Sequence, residues 1–265
     1  MAQETEGDNG DLASETSKSG DTEPKFGAAL LDQVFRLWVE PAIVERRLGL
    51  TRAEVVQALV VMPPSDAPQV FINEEAELIA HVRSAGPIDA GAVAAAADIS
   101  SVEGVRPANL DPNAGWIAFA KIGDEITIAF DGRRNRETSA VLVERASEFA
   151  AAAQESLTRG HLGPAIENGF AAAELAVKAQ MFLIQDKPAL DHPQRVAWRS
   201  QWENLGNAPP GTAHVLQQLY SERPASRYGD REISMRPDDV RSALEAVREI
   251  IDLAGARNAD LKPQT

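Results

Sequence analysis

Apolar residues change their spacing part-way along this chain. From about residue 138 they fall three and four apart, as on a buried helix face. Val141, Leu142, Ala146, Phe149, Ala153 and Leu157 follow the capping pair Thr138-Ser139, and Arg159-Gly160 ends that run. A second helix is predicted from about Leu162 to Ile184, its face lined by Ala165, Ile166, Phe170, Ala173, Ala176 and Ala179. Side chains this small let neighbouring helices approach closely. A third lies within Gln194–Leu205 and carries Trp198 and Trp202 one turn apart, and a fourth runs from Ala213 to about Arg223. The fifth opens at Pro237-Asp238-Asp239, a proline in the first turn with acids at the positive end of the dipole. Short loops between such helices predict an antiparallel bundle of four or five helices over 138–257, with a tail at 258–265.

Before residue 138 the pattern is mixed. Phe26, Leu30, Leu31, Val34, Phe35 and Trp38 are spaced as on a helix, and Pro41 is expected to limit it. Thr51-Arg-Ala-Glu54 has the form of a capping box. The run 55–62 is β-branched and reads either as a helix or as a buried strand ended by Pro63-Pro64. Gln69–Ile72 reads as a strand. Asn73-Glu74-Glu75 then looks like the cap of a helix to about Arg83, and the alanine-rich stretch 90–97 like a short helix. The clearest β signal is the pair of alternating runs Trp116–Ile122 and Glu125–Phe130 across Gly123-Asp124, a hairpin. Residues 26–136 are therefore expected to form a small α+β domain. Residues 1–25 carry seven acids against two lysines, with Leu12 the only large aliphatic after Met1, and read as a disordered acidic tail.

Charge and composition narrow the chemistry. The net charge is -14, so the chain repels a nucleic-acid backbone on average unless a local basic face exists. Cysteine is absent, which removes disulfides, thiolate metal sites and cysteine nucleophiles. The four histidines are scattered and no two are one turn apart, so no metal site or cofactor is expected. No apolar run is long enough to span a membrane and no signal segment opens the chain, so a cytoplasmic location is expected.

Three segments of the helical half carry a resemblance: the long helix ending in Arg159-Gly160, the alanine-rich helix with Ala171-Ala-Ala-Glu174 and Lys178, and the stretch Leu219-Tyr220 to Arg227-Tyr228 before the closing helix. His192 stands where many relatives have a histidine opening the third helix. This half resembles the HEPN (higher eukaryotes and prokaryotes nucleotide-binding) family. The resemblance implies one of two roles. Some members are metal-independent RNases, usually dimers, whose arginine is followed four to six residues later by a histidine. They are frequent in toxin–antitoxin and anti-phage systems. Others lack the histidine and serve as binding or assembly modules.

Here Arg223 is followed five residues on by Tyr228. A tyrosine titrates near pH ~10 and a histidine near ~6.5, so only the histidine exchanges protons readily at neutrality. The expectation is a non-catalytic RNA- or protein-binding module, a homodimer or a partner's dock. An RNase with Arg-x4-Tyr in place of Arg-x4-His, its chemistry carried by Arg223, Tyr228 and His192, is the alternative, and a protein-only scaffold a third. Arg223, Arg227 and Tyr228 are the candidate phosphate contacts, against the alternative that Glu222 and Asp230 pair with the arginines. Glu174 is a candidate to orient Arg223 across the bundle, with Lys178 beside it. Arg133, Arg134 and Arg136 form a second basic cluster able to meet phosphate or a partner.

Overall fold

The computed structural model describes residues 23–87, 98–109, 111–123, 125–184 and 191–259. The acidic stretch 1–22 and the alanine-rich run 90–97 lie outside these residues. The chain divides into two compact units, Met1–Glu54 and Val55–Thr265.

The first unit holds a helix that runs farther than Pro41 suggests. α1 (Glu23–Val34) passes through one π turn (Phe35–Val39) into α2 (Glu40–Arg46). Pro41 sits in the first turn of α2, where the missing N–H is not needed for an α-helical bond. Arg47, in the left-handed conformation, ends it. Thr51 and Glu54 do pair, with the Thr51 N–H donating to Glu54 Oε2 at 2.7 Å, but they close a single 3₁₀ turn.

Among the described residues, the second unit contains all the strands. β1 (Gln57–Met62), β2 (Gln69–Ile72), β5 (Gly115–Ile122) and β6 (Glu125–Asp131) form an antiparallel sheet in the order β2-β1-β5-β6. Residues 55–62 are thus resolved in favour of a strand. β5 and β6 pair from Trp116↔Asp131 to Ile122↔Glu125, the expected hairpin. The predicted helix after Asn73 is instead a 3₁₀ turn, Asn73–Glu75, followed by β3 (Leu78–Ser84). β3 pairs with β4 (Ile99–Pro107), and that two-stranded ribbon lays Val105 against Leu59, Ala118 and Ala120 of the sheet. Pairing with β4, from Leu78↔Pro107 to Ser84↔Ile99, outweighs the capping signal.

The bundle comprises α3 (Arg136–Thr158), α4 (Leu162–Phe182), α5 (His192–Asn204), α6 (Thr212–Tyr228) and α7 (Pro237–Asn258). α4 is the hub and touches the other four. Ala165, Ala172, Ala173, Ala176 and Ala179 on α4 are fully buried, facing Ala146 and Ala153 of α3 and Ala243 and Ala254 of α7 across one core. Two polar devices complete it. Arg199 is wholly buried, donating to Thr212 Oγ1 at 2.7 Å and to Gln180 Oε1 at 2.9 Å, and burial pushes its pKa down to about 10, still cationic at neutrality. At the other device, Arg133 donates to the carbonyl oxygens of Arg257 and Ala259 and Arg136 to that of Asn258, sealing the last turn of α7.

α3 begins two residues earlier than Thr138 suggests. Its cap is Asn135, in the left-handed conformation, which asparagine tolerates better than most residues. Among the described residues no helix is long and apolar enough to cross a membrane.

Candidate functional site

α6 continues through Pro224 to Tyr228, five residues past the predicted end. Proline lacks the N–H that would bond the Tyr220 carbonyl, but the turn is held on its buried side by Leu219, Glu222 and Ala225. The continuation decides the geometry. Arg223 and Arg227 are one helical turn apart and lie side by side on one face. They line a cavity of about 260 Å³ together with Tyr220, Ser221, Pro224 and Tyr228.

A carboxylate from α4 meets both guanidiniums. Arg223 Nε lies 3.4 Å from Glu167 Oε1, and Arg227 Nη2 lies 2.7 Å from Glu167 Oε2. Glu167, with Tyr228, raises the pKa of Arg227 above its ordinary value. Arg223 is further fixed by its guanidinium carbon, 4.3 Å from the centre of the Phe170 ring. Gly163, at the start of α4, allows this approach: a Cβ there would stand 3.0 Å from the Ser226 carbonyl oxygen. Only Nε of Arg223 is engaged, and both its Nη groups lack a partner among the described residues. Tyr228 is 75% exposed at the rim.

The residue expected to orient Arg223 does not do so. Glu174 accepts instead from Arg195 of α5 and stands 3.7 Å from His192 Nδ1. Glu167 is seven residues earlier on the same helix, two turns along the same face, and takes the role assigned to Glu174. Lys178 lies 5.9 Å from the Phe182 ring centre, away from the cavity residues. Glu222 does not pair with Arg223 either. It is buried, and accepts from Ser234 N–H, Ser234 Oγ and Arg231 Nη1. Glu167 carries no signal in the sequence that separates it from Glu174, because both fall on one stripe of α4.

His192 opens α5 as expected, but it is packed out of reach. It is 7% exposed and stacks on Tyr220 with ring centres 3.8 Å apart and 17° between planes, with Phe170 at 5.3 Å. Among the described residues neither ring nitrogen has a hydrogen-bond partner. Burial lowers its pKa and outweighs the opposing pull of Glu174, so the imidazole is neutral at pH 7. Tyr220 stands between it and the cavity that Arg223 lines.

The second basic cluster spends its donors on the protein. Arg133 chelates Asp131 and caps α7, Arg136 caps α7, and Arg134 contacts Met62 Sδ at 3.8 Å.

A bundle with an alanine-rich second helix, Leu219-Tyr220 to Arg227-Tyr228 ahead of the closing helix and a histidine opening the third is the arrangement the resemblance implies. Residues 139–257 match the family model of the HEPN domain. No curated protein matches the chain, and the segment ahead of the HEPN domain has no family match. The HEPN domain is generally nucleotide-binding or RNase-like, and the match runs from within the first turn of α3 to the last turn of α7.

Proposed function

We propose that the HEPN domain binds RNA through the cavity at Arg223, Arg227 and Tyr228 and does not cleave it. The observation that carries this reading is the lining of the cavity. It offers unspent guanidinium donors and an exposed aromatic ring, the pieces that hold a phosphate and stack a base. No histidine is among its lining residues, and His192 is stacked beneath Tyr220. Arg223 would stabilise charge on a phosphate, but none of the lining residues is a histidine able to give and take a proton at neutral pH. A homodimer or a partner docked on the bundle belongs to the same reading, and light scattering on the eluted protein reports it.

The test is fluorescence anisotropy on a labelled single-stranded RNA, with the intact protein, Arg223→Ala and Arg227→Ala. Two phosphate-facing cations predict binding that weakens between about 50 and about 200 mM salt, with each alanine lowering the salt slope by about one. Gel analysis of the same RNA is expected to show no product. Cleavage that Arg223→Ala abolishes would establish the RNase alternative instead. Absence of binding at low salt would leave a protein-only scaffold.

A further inference from the structure

We infer that β3 is an edge through which two copies of this chain pair antiparallel, with Ala80 of each on the two-fold axis. β3 stands on the outside of its ribbon. β4, its neighbour on one side, lies against β5 and β6, and among the described residues no strand pairs with the other side of β3. Every residue from Ile79 to Ser84 is exposed. The Glu77 carbonyl accepts from the Ala108 N–H and the Ala85 N–H donates to the Asp98 carbonyl, so the odd-numbered residues of β3 bond towards β4. The N–H and C=O groups of Leu78, Ala80 and Val82 therefore point to the open side. Bulges and prolines are what usually guard such an edge. Both bulges of the ribbon fall on β4, where Ser100 and Glu103 have no residue opposite, and β3 contains no proline.

The strand is complementary to itself. Antiparallel pairing about Ala80 sets Leu78 opposite Val82, Ile79 opposite His81, and Glu77 opposite Arg83, each twice across the axis. Directly opposed side chains share one face and touch, so apolar residues meet and unlike charges meet. Leu78, Ala80 and Val82 each exchange both backbone bonds with the residue they oppose. Moving the axis to His81 would set Ile79 against Arg83 and imidazole against imidazole. Parallel pairing in register would set Arg83 beside Arg83. Glu77 is exposed, with Asn109 Nδ2 at 3.3 Å from its carboxylate. Arg83 donates to Glu103 through Nε and Nη2, and among the described residues its Nη1 has no acceptor, so it can reach Glu77 of the second copy without giving up Glu103. Charge thus selects both the partner and the register.

The chain has no cysteine, so Ala80→Cys introduces a single thiol. A hydrogen-bonded antiparallel pair sets its Cα atoms about 5.5 Å apart, within the span of a disulfide. Mild oxidation of Ala80→Cys is expected to give a covalent dimer. Ser84→Cys, equally open to solvent, would lie roughly 27 Å from its counterpart in this register and is expected to stay unlinked. In sedimentation, Glu77→Lys and Arg83→Glu should each weaken self-association roughly tenfold or more, and the double variant should recover most of it. Ala80→Cys that links no faster than Ser84→Cys overturns the inference, as does a double variant no stronger than either single one. A dimer that survives both reversals and links at neither cysteine meets through another surface, and overturns it too. All of these outcomes are read without RNA, so they stand or fall separately from the binding reading above.

Discussion

Glu222→Ala isolates one buried carboxylate that ties the segment after α6 to the helix. Glu222 is 4% exposed and receives the N–H of Ser234 at 3.1 Å, its hydroxyl, and Arg231 Nη1 at 3.2 Å. Arg231 is half-exposed, so its ion pair is worth ~0–1 kcal/mol. The two Ser234 bonds go to a charged acceptor, worth roughly 1.5–3 kcal/mol each before the freed donors regain water. Allowing for that, Glu222→Ala is expected to cost about 2–4 kcal/mol, Ser234→Ala about 1–2 and Arg231→Ala under about 1. Burial acts to raise the Glu222 pKa, but Ser234 and Arg231 overcome it and hold the carboxyl below its ordinary 4.5. The contribution is therefore complete above the unfolded value of 4.5 and is lost as pH falls through the lower folded value. Urea titrations at a series of pH values from neutrality downward measure it. The gap between the intact protein and Glu222→Ala should narrow only below the ordinary glutamate range. A gap that ignores pH, or an Arg231→Ala loss equal to that of Glu222→Ala, refutes the account of where the stability lies.

Three further outcomes are expected. Gly163→Ala would ordinarily favour a helix, but its Cβ meets the Ser226 carbonyl oxygen at 3.0 Å, so a loss of about 1–3 kcal/mol in thermal or urea unfolding is expected in place of a gain. Arg133→Ala uncovers Asp131 and two terminal carbonyls of α7, and should cost about 2–4 kcal/mol and speed amide exchange in the last turn of α7. The His192 imidazole, followed by NMR, should titrate below its ordinary 6.5, and a midpoint above 6.5 would contradict its burial under Tyr220.

The bundle was legible because its helices bury one stripe each, and a stripe leaves a 3.6-residue period in the sequence. The β5–β6 hairpin was legible for the parallel reason at period two. The failures share one feature, a local signal overridden by its setting. Asn73-Glu74-Glu75 reads as a cap, but the following residues pair with β4, from Leu78↔Pro107 to Ser84↔Ile99. Pro41 reads as a limit, yet it falls in the first turn of α2, and the fourth helix, expected to end near Arg223, continues through Pro224 on a turn anchored by buried neighbours. In the site, Arg223, Arg227 and Tyr228 were legible through the family resemblance, which sets an arginine before a position four to six residues on. The sequence does not distinguish Glu167 from Glu174, because helix rotation and the height of α6 beside α4 are set by packing at Gly163 and the alanine face.

The seal on α7 has an evolutionary consequence. The arginines that complete the last turn of this domain, Arg133 and Arg136, precede its first matched residue, and Asn135 donates from its side chain to the Phe182 carbonyl at the end of α4. Asn113, ahead of β5, takes the backbone N–H of both Asn135 and Glu137. A recombination event that transplanted residues 139–257 alone would deliver a bundle with its closing helix open at the end. The strand-rich segment and the bundle are therefore expected to be inherited together, and a truncated copy beginning at residue 139 should fray from its C-terminus inward.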